Sequence, residues 1–171
     1  MECKKNNFDI NISISGMGIV FYSDGAVKNI KEGEDFFSKE YDDPDKVAMH
    51  IRNGDIVGFC TGSGGEYILK FRNGYPDKEI DKNYPISIRL GIVIEGGRLC
   101  IKDLFCLMDW NPECPQNQQI KLEDGAYHIT LNTKVPSSGI YGDGQEIYVY
   151  LNELQKMPKL MWEGVPQLFE E

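Results

Sequence analysis

Residues 85–110 read PISIRLGIVIEGGRLCIKDLFCLMDW, and the fold class turns on this stretch. Ile86, Ile88, Leu90, Ile92 and Ile94 are apolar at every second position. A period of two sends successive side chains to opposite faces of a sheet, so the stretch predicts a strand. Gly96 and Gly97 follow, both free to take the positive φ that a two-residue hairpin turn requires. Leu99 and Ile101 then alternate with Arg98, Cys100 and Lys102. The expectation is a hairpin, with residues 103–110 as a single apolar turn packed beneath the sheet.

The same alternation recurs on both sides. Phe8, Ile10, Ile12 and Ile14 predict a first strand, and residues 18–22 a short second one, paired with the first across Ser15-Gly16. Residues 55–61 and 66–72 flank Gly62-Ser63-Gly64-Gly65 and predict another hairpin. Residues 120–122 close a strand and Asp124-Gly125 turns the chain. Tyr127, Ile129 and Leu131 then share one face, leaving His128, Thr130 and Asn132 on the outer one. A Gly-x-Tyr entry of this kind resembles the tyrosine corner of Greek-key sandwiches, whose phenol bonds back to upstream backbone. Ile147, Val149 and Leu151 alternate with Tyr148 and Tyr150 in a last strand.

Helical signals are few. Asp43-Pro44 reads as an N-cap followed by proline at the first helical position, with Val47, Ala48 and Ile51 as the buried stripe and Gly54 as the stop. Residues 73–84 read as a turn region and residues 111–119, with two prolines, as a loop. The expected fold is mainly β: one antiparallel β-sandwich of jelly-roll or Greek-key type with one short helix. Residues 1–171 are expected to form a single domain, with an acidic insertion at 23–45 and an irregular tail at 152–171 packed on it.

Composition narrows the function. A net charge of −9 on 171 residues opposes binding to the phosphate backbone of nucleic acid and leaves a cationic partner open. No apolar run reaches membrane-spanning or signal-peptide length, so a cytoplasmic protein is expected. Five cysteines (Cys3, Cys60, Cys100, Cys106, Cys114) contain no C-x-x-C pair, and the only histidines are His50 and His128. No cofactor or metal site is expected, and EF-hand spacing is missing among the acids.

Residues 32–45 carry seven carboxylates against Lys39 alone, a net −6. Phe36, Phe37 and Tyr41 are interleaved with Glu32, Glu34, Asp35, Glu40, Asp42, Asp43 and Asp45. Acids around aromatic anchors suit a surface that binds a basic protein, since aromatics supply contact area and the field speeds encounter. The alternative is a solvated loop whose aromatics tuck into the core. A second site, for a small ligand or carbohydrate, lies in the glycine-rich residues 135–145, near Tyr141 and Asp143. A third reading pairs Cys60 or Cys100 with His128 as nucleophile and base of a hydrolase. No nucleophile elbow, HExxH, P-loop or dinucleotide fingerprint is present, so no catalytic residue is assigned.

Taken in order, residues 55–151 show a strand pair, a long alternating hairpin, LEDGAYHITL at 122–131, a pause at Val135-Pro136 and a final alternating strand. This order resembles the competence-associated nuclease-inhibitor family of bacteria, small acidic β-sandwich proteins that silence a partner nuclease. It also resembles bacterial immunity-type β-sandwich domains. The resemblance, together with the acidic segment, implies a non-enzymatic inhibitor or immunity protein that neutralises a basic nuclease or toxin; the net charge and the lack of a long apolar run add the expectation of no nucleic-acid or membrane partner.

Overall fold

The structure is a computed structural model and describes residues 7–170. Cys3 lies outside the described residues. The chain is mainly β, with two sheets and few helices. Strands β1 (Phe8–Ile14), β4 (Gly65–Asn73), β9 (Gln145–Leu154), β8 (Gly125–Thr133) and β5 (Ile86–Ile94) lie side by side in that order. Strands β3 (Ile56–Cys60), β2 (Gly18–Tyr22), β6 (Arg98–Asp103) and β7 (Gln119–Lys121) form the second sheet. Phe21 of β2 meets Phe71 of β4 with ring centroids 6.3 Å apart, so one core fills the space between the sheets.

Strand positions follow the alternation closely, but strand partners do not. All three expected hairpins are crossings from one sheet to the other. β1 and β2 lie in different sheets, as do β3 and β4, and β5 and β6. Gly96 and Gly97 do adopt φ of +114° and +79°, with both amides donating to Asp124 Oδ1 at 3.0 and 2.8 Å. The turn carries the chain over an edge instead of back along β5. The physical reason is that alternation reports which face is buried, and Ile94 and Leu99 are both buried when they approach the core from opposite sheets. Sheet partners are joined by the long segments: 23–55 between β2 and β3, 104–118 between β6 and β7, and 134–144 between β8 and β9.

A second correction concerns direction. β4 and β9 run parallel, Lys70 facing Tyr148 and Arg72 facing Tyr150, so the larger sheet is mixed instead of wholly antiparallel. Nor is there a single short helix. Besides α2 (Pro44–Asn53) the chain forms α1 (Asp24–Val27) and α3 (Lys78–Asn83), with a π-helical turn at Phe37–Tyr41. α2 starts and stops on the expected residues: Asp43 accepts from the Asp45 amide, Pro44 opens the helix, and Gly54 sits left-handed with φ +66°. Tyr127 donates its phenol to the Glu123 carbonyl at 2.6 Å, the corner bond that Gly125-x-Tyr127 predicts. Burial pushes this phenol up to about 12.

Candidate functional site

The acidic segment is an anchored element. Gly33 donates to the Trp110 carbonyl (2.7 Å) and Trp110 donates back to Glu34 (3.0 Å), pinning the start of the segment to the loop after β6. Its end is pinned by Tyr41. That hydroxyl donates to the Ile56 carbonyl and accepts from the Gly58 amide, both at 2.7 Å, which satisfies two outward-facing groups on the edge of β3. Phe36 and Tyr41 are 7% and 5% exposed and stack near His50, with ring centroids 5.7 and 5.8 Å away. These two aromatics therefore belong to the core, while Phe37 is half-buried against it. The spacing of five between Phe36 and Tyr41 matches a π-helical turn, which brings both inward.

The carboxylates divide into two groups. Glu34 and Glu40 are half-buried and hold cations, Glu34 with Lys39 at 4.0 Å and Glu40 with His50 at 3.6 Å. Glu32, Asp35, Asp42, Asp43 and Asp45 are exposed. Asp43 caps α2, and Asp35 accepts from the Ser38 amide at 3.0 Å, which holds its carboxyl below the usual range. Glu32, Asp42 and Asp45 have no ion pair among the described residues. The segment thus presents charge outward from a base fixed by buried aromatics.

His50 lies beneath it. Its Nδ1 lies 2.9 Å from Asp55 Oδ1 and its Nε2 faces Glu40. Burial pulls its pKa down, but the two carboxylates more than offset this, so it stands above the ordinary histidine value. The protonated ring then ties the acidic segment to the start of β3.

The glycine-rich loop is tied to the chain between β3 and β4. Tyr141 accepts the Ser63 hydroxyl on its carbonyl (2.6 Å), and Gly142 accepts the Glu66 amide (2.7 Å). A Cβ on Gly142 would collide with the Gly64 carbonyl, so the two loops are packed backbone to backbone. Asp143 is exposed and lines a hollow of about 270 Å³ with Lys134, Ser137 and Glu146. Tyr141 does not line it, and neither does any other aromatic residue.

The structure also separates the Cys–His pairing. His128 is on the outer face of the larger sheet, where Nδ1 lies 2.7 Å from the Tyr75 hydroxyl. Cys60 and Cys100 are on β3 and β6 of the other sheet, so neither is paired with it. Asn132 and Thr130 were expected to face solvent beside His128, yet both are buried. The segment before β5 meets Asn132, which donates to Asp81 and to the Tyr84 carbonyl, while Thr130 accepts from Arg89 of β5 at 2.9 Å. Cys60, Cys100, Cys106 and Cys114 are free thiols. Among the described residues no group of three or more His, Cys, Asp or Glu side chains is gathered as for a metal ion.

One further surface is aromatic and cationic. The parallel β4–β9 ladder sets Lys70 and Arg72 over the Tyr148 ring, each 5.6 Å from its centroid, and Lys134 lies 4.8 Å over Tyr84. Tyr148 stands against both Tyr84 and Tyr150. The outward alternation of Tyr148 and Tyr150 was its sole trace in the sequence, because the ladder joins strands more than seventy residues apart.

Comparison with solved structures gives a relative for this architecture. The fold resembles that of ComJ. The ComJ structure, from Bacillus subtilis, is described as that of an inhibitor of the DNA-degrading activity of NucA. Its TM-score is 0.55 at 11% identity, covering 89% of this chain and 100% of ComJ. A protein described as crocagin biosynthetic gene J is similar in the same way, with TM-score 0.55, 16% identity, 86% of this chain and 98% of that one. No family profile matches the sequence. No curated protein matches it either. The likeness to ComJ bears out, at the level of fold, the resemblance drawn from residues 55–151.

Proposed function

We propose that this chain is a non-enzymatic inhibitor that binds and silences a basic protein, a nuclease or a toxin, as an immunity-type protein does. The two sheets act as a rigid sandwich, and the outward carboxylates of residues 32–45 meet the partner. The observation that supports this reading most is the anchoring of the segment. Phe36 and Tyr41 are fixed in the core, so the exposed Glu32, Asp42 and Asp45 are displayed at little cost in chain entropy. ComJ, with the same fold, inhibits a nuclease.

The test is capture from native lysate at low and at high salt, followed by a DNA-degradation assay on the captured protein. A basic nuclease retained at low salt, lost at high salt and inhibited by added chain is the expected outcome. The triple variant Glu32→Lys, Asp42→Lys, Asp45→Lys removes exposed charges that hold nothing else in place, and it should lose both capture and inhibition. A captured protein whose activity the chain leaves untouched overturns the reading.

A further inference from the structure

Two sheets have four edge strands, and each edge offers a row of outward backbone groups. The chain covers one of them, β3, and the end of a second, β5. On β3, Tyr41 takes the Ile56 and Gly58 groups, while Cys60 donates to Pro166 and accepts from the Leu168 amide. On β5, Val93 donates to the Gly54 carbonyl and accepts from the Ser23 hydroxyl, and Glu95 accepts from the Gly25 amide. β1 and β7 are left open. Among the described residues, the backbone of Phe8–Ile14 makes no hydrogen bond besides its ladder with β4, and that of Gln119–Lys121 none besides its ladder with β6.

These two open edges border one groove of about 730 Å³. Phe8, Asp9, Ile10 and Asn11 line one wall, and Gln119, Ile120 and Lys121 belong to the other. Consecutive β1 residues point alternately to the two faces of the sheet, so a groove that touches all four lies along the edge itself. Asp9 is paired with Arg72, whereas Lys121 faces the groove with no carboxylate partner among the described residues. Phe8 is 49% exposed at the mouth.

We infer that the groove takes up an extended peptide segment of a partner protein as a strand added to β1. Its backbone completes the open ladder along the length of β1, as an added strand does. Every second side chain turns toward Ile10 and Ile120 and is aliphatic. A carboxylate on the segment meets Lys121. This holds for any protein partner and does not depend on the nuclease-inhibitor reading.

The probe is a random-peptide display library selected against the full chain. The expected winners alternate aliphatic and polar residues, lack proline and carry an acid. Lys121→Glu should turn that acid into a base among the winners. Methylating the winner's amides at alternate positions separates the two backbone directions without touching the protein. One set should weaken binding about tenfold or more and the other set little. With the peptide bound, alternate β1 amides should become protected from hydrogen exchange. The inference is overturned if no peptide is enriched, if proline-containing winners bind as tightly, or if protection appears at residues 32–45 instead of β1.

Discussion

The β3–β5 side and the β1–β7 side of this molecule are built from the same kind of strand and finished differently. On the first, chain is brought to the edge from four places: the acidic segment through Tyr41, the tail through Pro166 and Leu168, the turn before α1 through Ser23, and the end of α2 through Gly54. On the second, regular alternating strands end at solvent. The difference teaches that the long segments are structural. They cap edges that would otherwise pair with other chains, and residues 32–45 display charge as a consequence of that capping.

Breaking the caps should expose the contrast. Leu168→Ala removes a fully buried anchor of the tail, and a loss of about 3 kcal/mol is expected in urea unfolding. Tyr41→Phe leaves the Gly58 amide and Ile56 carbonyl unpaired in a buried setting, for a loss of about 2 kcal/mol. Ser23→Ala strips one hydroxyl that bonds both Val93 and Glu95, and about 1 kcal/mol should go by the same measurement. At the open edge, Asn11→Lys adds a charge where nothing is bonded, and the change should stay within about 0.5 kcal/mol.

The histidine beneath the acidic segment adds a pH dependence to one side alone. Its folded pKa is raised, so its contribution is fully present below the unfolded value and fades as pH rises through the folded one. The stability lost in His50→Gln should therefore be greater at about pH 5 than at about pH 8. Nuclear magnetic resonance titration should place His50 above His128, which burial and the nearby Arg89 push down.

Much of this was legible residue by residue. The apolar alternation located β1, β5 and β8, the Asp43-Pro44 cap started α2, and Gly125-x-Tyr127 announced its corner bond. What alternation lacks is any mark of the partner. Gly96-Gly97 suits a hairpin and a sheet crossing equally, since both need positive φ, and the buried faces of β5 and β6 look alike in either. The β4–β9 pairing depends on contacts distant in sequence, and with it the tyrosine face on Tyr148 was hidden. In residues 32–45 the charges could be read, and so could aromatics tucked into the core as an alternative, but not which of them turn inward, because the spacing of five between Phe36 and Tyr41 fits neither the helical nor the strand period. Asp77 caps α3 with its side chain, yet Ile80 is the one aliphatic residue of that short helix, too little pattern to detect.

Amide hydrogen exchange on the full, unliganded chain tests the contrast of sides most directly. Gly58, Cys60 and Val93, whose amides are capped, should exchange as slowly as neighbouring core amides, while alternate amides along β1 should exchange quickly. Uniform protection along β1, or fast exchange at Gly58 and Val93, would contradict that contrast.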